Sequence, residues 1–369
     1  MTVEIERDAL LGALRAVADV VQARTTIPVL ANLHLEVAGG RMTVTGTDLD
    51  LQASATAEAV GDLLTTVDKG KLLAAAVSFK AGKVRIEASQ GRAVLKQGRA
   101  QRTISTLPAT DFPRRGAIAN GTAFRIAGKT LLRLLDAASI AQSTEETRYY
   151  LMGVLLHVEE GKLRCVATDG HRLVRAEADV PAGAEPLPDI IVPTKTVTLL
   201  RRLLGKADTE VAIVASDKAI TFAIGNVSIN SKIVEGTFPI YQRIIPTPGC
   251  HVIVGARDAI VEAFQATAAI VNAEGDLKVR AVKVTLDPSG EHEVSAQDST
   301  GSHAIEPLDV AVEGGAFSFG VNHKYLVQVA GIFGEAGSLT MTMADSAAPM
   351  RITGDRDPDL IAVLMPMRV

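Results

Sequence analysis

Three stretches decide the fold: Val44-Thr-Gly-Thr-Asp48-Leu-Asp50, Cys165-Val-Ala-Thr-Asp169-Gly-His171 and Val294-Ser-Ala-Gln-Asp298-Ser-Thr300. Each runs from an apolar, strand-like segment into small residues and an aspartate, which together are a turn signal. The aspartates are 121 and 129 residues apart. A pattern that returns at a near-constant interval indicates an internal repeat, and a repeat determines the architecture.

Two further markers keep the same order and interval. One opens a helix with an apolar residue, a polar residue of the N-cap type and a lysine, at Val67-Asp-Lys69, Val192-Pro-Thr-Lys195 and Val321-Asn-His-Lys324. The other closes a unit with a proline, at Asp111-Phe-Pro113, Thr237-Phe-Pro239 and Leu364-Met-Pro366. One marker could be chance, whereas three in constant order predict three copies of one domain.

Each copy carries signals for both helices and strands. Amphipathic helices are predicted from Arg7, Lys129 and Arg257, because apolar residues follow at i+3, i+4 and i+7 spacing. Short β-branched runs such as 84–88, 211–214 and 339–343 predict antiparallel strands. The fold class is therefore α+β, with two helices packed on antiparallel sheets in each copy. We predict domains at 1–119, 120–247 and 248–369, with linkers near 114–120 and 247–250.

Composition limits the classes of function. The 369 residues are 47% apolar and 22% charged, which favours packed cores over disorder. Apolar runs fall short of the roughly 18 residues that span a bilayer, and the first residues are acidic, so neither a membrane protein nor a signal peptide is expected. Two cysteines and histidines without ligand spacing predict no disulfide framework, metal site or cofactor. A reducing cytoplasm is the expected location.

The charge balance speaks against tight nucleic-acid binding only if charge is evenly spread. Lys and Arg number 38 against 42 Asp and Glu, a net charge of −4. The predicted helices, however, gather basic side chains, which are either solvated helix faces or a basic surface held in register by the repeat. The repeat favours the basic surface, formed by Arg7, Arg15, Lys69, Lys71, Lys129, Arg133, Lys195, Arg201, Arg202, Arg257 and Lys324.

Seven segments spread over the whole chain carry a family resemblance. They are residues 26–32 (Thr-Ile-Pro-Val-Leu-Ala-Asn), 46–49, 105–113, 148–154 (Arg-Tyr-Tyr-Leu-Met-Gly-Val), 167–173 (Ala-Thr-Asp-Gly-His-Arg-Leu), 238–243 and 365–368 (Met-Pro-Met-Arg). In this order they resemble the beta sliding clamps of bacterial DNA polymerase III, which are processivity factors and not enzymes.

The resemblance implies a ring. Three clamp domains form one subunit, and two subunits close head to tail around double-stranded DNA as a homodimer, without sequence specificity. The dimer interface is expected near Ile104 on one side and near Ile270 and Val271 on the other. The family implies DNA contacts at Arg24, Arg148, Tyr149, Tyr150 and Lys195.

The resemblance also implies an apolar pocket between domains 2 and 3. Partners there are the replicative polymerase, the clamp loader and other client proteins that carry a short motif with a Gln and a Leu-Phe pair. Methionines suit such a site because they adapt to related peptides. The implied lining is Leu151, Thr168, Gly170, His171, Arg172, Leu173, Pro239, Arg243, Ile244, Asn322, Tyr325, Val363, Leu364, Met365, Pro366, Met367 and Arg368.

Three positions depart from the family pattern, and other functions remain open. Glu145 replaces a neutral polar residue before Arg148, and Val279 and Pro349 alter the pocket edge, which bears on client preference. The runner-up function is a clamp-like accessory paralogue, for example one that confers inhibitor tolerance. An enzyme is a distant third, because Asp169 beside His171 is better explained as a turn-forming aspartate than as an acid/base pair.

Overall fold

The structure is a computed structural model that describes residues 1–22, 25–89, 91–205, 209–271, 281–287, 289–298 and 301–369, without the side chains of residues 270 and 271. These residues form two compact units. The first contains residues 1–132 and 181–233, and the second contains residues 133–180 and 234–369. The middle repeat therefore contributes to both units.

The three repeats share one order of elements: a strand, a helix, a run of strands, a second helix and three closing strands. The extra strand β21 distinguishes the third repeat. This order confirms three copies of an α+β domain. Repeat one contains β1 (Thr2–Glu6), α1 (Arg7–Val17), β2 (Asn32–Ala38), β3 (Arg41–Thr47), β4 (Leu51–Glu58), β5 (Val60–Asp68), α2 (Lys69–Ser78), β6 (Lys83–Ser89), β7 (Arg92–Gln97) and β8 (Ala100–Leu107). Repeat two contains β9 (Thr122–Ala127), α3 (Gly128–Ser139), β10 (Gly153–Glu159), β11 (Lys162–Thr168), β12 (Arg172–Asp179), β13 (Ile190–Pro193), α4 (Thr194–Leu204), β14 (Glu210–Ala215), β15 (Ala219–Ile224) and β16 (Val227–Lys232). Repeat three contains β17 (His251–Ala256), α5 (Arg257–Val271), β18 (Ala281–Leu286), β19 (Glu293–Gln297), β20 (His303–Pro307), β21 (Ala311–Glu313), β22 (Phe317–Asn322), α6 (His323–Ala330), β23 (Ser338–Met343), β24 (Met350–Gly354) and β25 (Leu360–Leu364).

The helices pack one apolar face, as their spacing predicts. α1 buries Leu10, Ala13, Leu14 and Val17, at the i, i+3, i+4 and i+7 positions of one helical stripe. Strand β1, which precedes this helix, buries every second side chain, as a strand with one face on the core should. In the described ranges, no helix combines the length and apolarity needed to cross a membrane.

The predicted polar N-cap is present in two of the three second helices. Asp68 accepts a hydrogen bond from the Lys71 N–H at 2.8 Å, and Asn322 caps α6 in the same manner. α4 begins differently, because its N-cap residue is Pro193, which has no side-chain acceptor, and Thr194 is already the first helical residue. The prediction of a polar cap at this helix is therefore wrong, although the helix itself is present.

One antiparallel sheet runs through the first unit. Its strand order is β1-β6-β7-β8-β5-β2-β3-β4-β16-β15-β14-β9. The first and second repeats meet where β4 pairs with β16, from Leu51 opposite Ser231 to Ala55 opposite Val227. The last strand of the second repeat thereby extends the sheet of the first, and we call this pairing the first joint.

The second unit contains the equivalent joint. Here β12, the counterpart of β4, pairs with β25, the last strand of the third repeat, within the order β10-β11-β12-β25-β24-β23-β17-β21. A separate sheet of the third repeat has the order β20-β19-β18-β22. The repeat in the sequence is therefore also a repeat in the way that consecutive domains are joined.

The third sequence marker holds for only two repeats. Pro113 and Pro239 follow the ends of their last strands, Leu107 and Lys232, after a short loop, whereas Pro366 comes almost directly after the end of β25. The Leu364-Met-Pro366 segment is thus not equivalent to the two Phe-Pro segments, and its match in spacing is a coincidence. The predicted linkers, 114–120 and 247–250, lie outside helices and strands as expected.

The two cysteines should differ sharply in reactivity. Cys165 lies in β11 with no exposed surface, and burial raises the pKa of its thiol to about 12. Cys250 is exposed. Because the thiolate is the reactive form, we expect one thiol per chain to react with an aromatic disulfide reagent at pH 8, and two after denaturation. A Cys250→Ser variant should show no reactive thiol until it is unfolded; two reactive thiols in the native protein would contradict this burial.

Candidate functional site

The aspartates of the three repeated stretches each accept a backbone hydrogen bond from a residue shortly after them in the chain. The Oδ1 atom of Asp48 accepts hydrogen bonds from the N–H groups two and three residues ahead, at 3.2 and 2.7 Å. Asp169 does the same at 2.9 Å for both bonds, and Asp298 accepts from the N–H four residues ahead at 2.9 Å. A side-chain oxygen in this position organises the turn, which confirms the structural interpretation of these aspartates.

The Asp169 turn lies directly beside the end of the chain. In the second joint Arg172 lies opposite Leu364, and just beyond the paired strands the Met365 N–H donates to the carbonyl of His171 at 2.8 Å. The turn after β11 and the residues after β25 consequently form one surface. This brings together two of the segments that were predicted to line the client pocket.

The start of α6 adds a third segment to this surface. The Asn322 side chain accepts from the N–H of Tyr325 at 3.3 Å, which fixes the ring near the turn. The Arg172 guanidinium lies 4.2 Å from the centre of the Tyr325 ring, donates to Asp169 Oδ2 at 3.1 Å and also bonds Gln328. Arg172 is thus held by a ring, a carboxylate and an amide, so its orientation is largely set before any ligand binds.

The predicted pocket residues divide into a floor and a rim. Floor residues are at most 4% exposed and are already packed in the core: Leu151, Thr168, Leu173, Val363 and Leu364. The rim residues along the joint are half-buried or exposed: Gly170, His171, Arg172, Tyr325, Met365, Pro366, Met367 and Arg368. Asn322 is also buried, as a cap. The accessible part of this surface is therefore formed by the methionines and the Arg172–Tyr325 pair, while Leu173 is packed in the core.

The remaining predicted residues lie on the segment after β16. Pro239 is half-buried and Arg243 and Ile244 are exposed, around a short 3₁₀ turn at Tyr241–Arg243. This segment is anchored by Tyr241, which is 1% exposed. Its hydroxyl donates to Glu159 Oε2 at 2.9 Å and lies 3.1 Å from His157 Nε2.

A buried arginine organises the anchor. Arg164, in β11, is 4% exposed; its Nε donates to Glu177 at 3.0 Å and its Nη2 to Glu160 at 2.6 Å, and Nη1 bonds Glu159. Three carboxylates thus surround one guanidinium, which satisfies the rule that buried charges must be paired. Removing one member of such a cluster costs more free energy than forming the cluster gains, because a buried charge is left without a partner. The positions of its side chains are therefore well fixed.

The pKa shifts in this cluster follow from burial and charge. Burial raises the pKa of Tyr241 to about 12, with the Glu159 carboxylate adding to the rise. For Glu159, burial acts to raise the pKa, but hydrogen bonds from Tyr241 and Gln242 and the charge of Arg164 outweigh it and hold the pKa below its ordinary value. The carboxylate stays charged and the phenol stays protonated near neutral pH, so the hydroxyl remains a donor.

The predicted DNA residues Arg148, Tyr149 and Tyr150 lie on one loop. They belong to a 3₁₀ segment, Glu146–Leu151, that is interrupted at Arg148. Tyr149 is 54% exposed, and the two tyrosine rings pack edge to face with centres 5.8 Å apart. Gly236 has a φ of +145° and approaches the Cβ of Tyr150 so closely that a side chain there would crowd it, which explains the glycine.

Of the other two predicted DNA-contact residues, the structure describes Lys195 but not Arg24. Lys195 is exposed in the first turn of α4, but its Nζ donates to the Val20 carbonyl at 3.1 Å and pairs with Asp48. Its charge is therefore partly neutralised within the chain. Arg24 lies outside the described residues.

Several basic residues of the helices bind carbonyls of neighbouring helices. Arg7 Nε donates to Ala76 of α2 at 3.4 Å, and Arg257, at the same place in repeat three, donates to Ala330 of α6 at 3.2 Å. Arg202 donates to the carbonyls of residues 15 and 16 at 3.1 and 3.0 Å. Cations at helix C-termini satisfy free carbonyls and the helix dipole. For these residues the expectation of a freely available basic surface is wrong.

The predicted interface residues are only partly described. Ile104 lies in β8 opposite Ala93 and is 5% exposed, so its side chain packs inside its own domain and only its backbone edge remains for a partner. Ile270 and Val271 end α5, and their side chains lie outside the described residues, as does the whole of Val279.

Comparison with known proteins assigns the family. Profiles described as the N-terminal, central and C-terminal domains of the DNA polymerase III beta subunit match residues 1–116, 125–240 and 242–368. The chain belongs to this family. Its members named Beta sliding clamp include those of Caulobacter vibrioides, 36% identical over 390 residues, and Escherichia coli K12, 32% identical over 375 residues, each aligned over 100% of both chains.

Solved structures of the beta clamp family share the fold throughout. The beta sliding clamp of Caulobacter crescentus superimposes with a TM-score of 0.95 at 35% identity, over 100% of both chains. The clamp of Bartonella birtlesii bound to griselimycin gives 0.95 at 30% identity, also over 100% of both chains. The three-domain clamp architecture expected from the resemblance is thereby confirmed.

Sequence reasoning missed the Arg164 cluster. The signal was present, because an arginine within the apolar strand segment Leu163-Arg164-Cys165 is rarely buried without acidic partners. Its partners, however, come from β10, β12 and the segment after β16, and a pattern along one strand does not identify such distant residues.

Removing the Tyr241 hydroxyl should loosen the 239–244 segment. We expect Tyr241→Phe to lower the free energy of unfolding by about 1–2 kcal/mol, because Glu159 and Arg164 lose a buried hydrogen-bond partner while the ring still fills its site. Urea unfolding followed by fluorescence or circular dichroism measures the loss. Tyr149→Phe removes an exposed hydroxyl and serves as the control, with a change below about 0.5 kcal/mol. Equal stabilities of the two variants would contradict the anchoring role.

Proposed function

We propose that this chain is a non-catalytic processivity subunit that closes as a head-to-tail homodimer around double-stranded DNA and recruits client proteins through the pocket at the second joint. It would act in the cytoplasm. The domain boundaries 1–119, 120–247 and 248–369 remain part of the proposal.

One observation carries the ring: the joints are repeated and leave two ends. The last strand of repeat two extends repeat one, and the last strand of repeat three extends repeat two. By the same rule β8, the last strand of repeat one, should extend β20, the counterpart of β4 and β12 in repeat three. Within one chain this joint is absent among the described pairings, because β8 pairs with β7 and, at Thr106 and Leu107 alone, with β5, and β20 pairs with β19.

Both strands have the surface expected of an interface. Free strand edges invite pairing with another chain, and Ile305 of β20 is 57% exposed although apolar. Exposed Arg99 and Arg102 accompany β8, whereas Glu293 and Glu306 accompany β19 and β20. Opposite charges on two different patches favour a heterologous, head-to-tail contact. Two chains then supply six equivalent joints, and a rotation of one sixth of a circle at each closes the ring.

The DNA contacts would be made to phosphates and not to bases. A sliding protein needs equal energy at every register, and phosphate contacts carry no sequence information. Exposed Tyr149 and the residues Arg24, Arg148, Tyr150 and Lys195 are the proposed contacts. Internal bonding of Lys195 and of several helix arginines supports weak direct affinity, with retention resulting from encirclement.

The client pocket would hold a short peptide with a Gln and a Leu-Phe pair, as in clamp loader and polymerase subunits. Met365 and Met367 offer adaptable apolar contacts, and Arg172 is pre-oriented to donate to peptide carbonyls. The relatives compared above are sliding clamps and do not favour the alternative of an accessory or inhibitor-tolerance paralogue with altered client choice.

The ring predicts a specific loss of DNA retention. After loading by the cognate clamp loader, the wild-type protein should stay on a nicked circle and leave when the circle is linearised, and its solution mass should be twice the 38.8 kDa of the chain. Ile305→Asp should yield a monomer and no retention, because it places an uncompensated charge in the β8–β20 joint. Val60→Asp, which changes an apolar residue that is 76% exposed, is the matched control and should retain both properties. A wild-type monomer that remains monomeric with DNA would refute the ring.

If the pocket binds client peptides, substitutions on its rim should lower peptide affinity, whereas substitutions in its floor should lower folding stability. The wild-type protein should bind a client peptide at micromolar strength, about −7 to −9 kcal/mol. Met365→Ala should weaken binding by about 1–3 kcal/mol with little effect on folding, because Met365 lies on the rim. Leu173→Ala should instead lower the free energy of unfolding by about 2–5 kcal/mol, since it creates a cavity. Calorimetric titration and thermal unfolding separate the two effects. Removal of residues 365–369 without any change in peptide affinity would show that clients bind elsewhere.

A further inference from the structure

In the proposed DNA-contact loop, Arg148 forms an ion pair with Glu145. Glu145 Oε2 accepts from Arg148 Nε at 2.8 Å and lies 2.6 Å from Nη2. Both nitrogens on this edge of the guanidinium therefore point at one carboxylate oxygen. This edge is one of those through which arginine binds a phosphate group with two hydrogen bonds.

The loop holds the two residues in this arrangement. The Glu145 N–H donates to Ser143 Oγ at 3.1 Å, and the Arg148 N–H donates to the Glu145 carbonyl at 3.0 Å. On the other side, Arg148 Nη1 lies 2.7 Å from where a Cβ would stand on Gly170, in the Asp169 turn. The guanidinium is thus confined between the carboxylate and the turn.

Acidic residues lie beside Arg148. Glu145 and Glu146 precede it on the same exposed loop, and the Asp169 turn lies beside it. A DNA phosphate that approaches Arg148 must replace the Glu145 carboxylate and also approach a second negative charge. The side chains of Glu145 and Arg148 are 54% and 33% exposed, and ion pairs of such exposure are weak enough to exchange.

We propose that Glu145 is an intramolecular competitor for the phosphate that Arg148 binds, so that it sets how strongly this loop holds duplex DNA. The inference rests on the proposed DNA-binding function and deepens it. The competition weakens the contact without preventing it. A phosphate displaces the carboxylate, but the net free energy gained from the contact is smaller than it would be for an unpaired arginine. Because the contact contributes less binding free energy at each position on the DNA, it does not stop the ring from moving along the duplex.

The test compares two substitutions that remove the same charge. Glu145→Gln removes the competitor, while Glu146→Gln removes a carboxylate that is also exposed, at the next position, and is the matched control. Affinity for a short mixed-sequence duplex is measured by fluorescence anisotropy over a range of salt concentrations. We expect Glu145→Gln to bind about two- to fivefold more tightly than Glu146→Gln. Its plot of log affinity against log salt should be steeper by up to about 0.9, as one additional phosphate contact requires.

Arg148→Ala in each background separates the causes. Arg148→Ala should abolish the increase in DNA affinity that Glu145→Gln produces. In the wild-type protein it should lower the DNA affinity much less, because Arg148 is already paired with Glu145. Equal gains in Glu145→Gln and Glu146→Gln would overturn the competitor, because general charge would explain both. If Arg148→Ala changes nothing in either background, the competitor is also overturned, since Arg148 does not contact DNA. Retention on circular DNA, measured on the same proteins, tests the ring independently. If the wild-type protein is not retained on circular DNA, the proposed function is refuted and not only this inference.

Discussion

The structure depends on one backbone interaction, the antiparallel pairing that joins the last strand of a repeat to the fourth strand of the repeat before it. An open strand edge exposes unpaired N–H and carbonyl groups, and a domain built of sheets must cover such edges. Here the next domain covers them, through β4 with β16 and β12 with β25. Among the described pairings the second repeat both gives and receives a strand, whereas the first only receives one and the third only gives one. β8 and β20 are therefore the two strands to which the same rule has not been applied within the described chain.

The two joints share their backbone geometry but differ in the side chains that they present. At equivalent positions, the Lys232 N–H donates to Asp50 in the first joint and the Met365 N–H donates to His171 in the second, both at 2.8 Å. In the first joint the Lys232 ammonium also binds the Asp50 carboxylate at 2.7 Å. The second joint has methionine in place of this ion pair, so equivalent backbone geometry presents an apolar surface.

The parts of this architecture that are local in sequence were predictable, and those that join distant segments were not. Helical periodicity and the recurring aspartates predict six helices and three copies, because both signals are carried by neighbouring residues. The caps at Asp68 and Asn322 follow the sequence rule, but α4 begins at Thr194, after Pro193, without a side-chain cap, since packing of an amphipathic face can replace a cap. The resemblance named the pocket residues without separating floor from rim. That separation depends on β12–β25 pairing, which no local pattern encodes.

Charge shows why counting basic residues is a poor guide to DNA affinity in this fold. Arg7, Arg202 and Arg257 bind carbonyls of neighbouring helices. Arg7 and Arg257 stabilise the helix pair within their own repeat, and Arg202 joins the second repeat to the first. A protein that binds DNA by contact alone could not use its cations in this way, because its affinity is the sum of such contacts. A closed ring is held on DNA by topology, and its contacts need only keep it centred. A net charge of −4 is then compatible with a DNA-bound protein, because weak contacts at every register allow movement that strong ones would prevent.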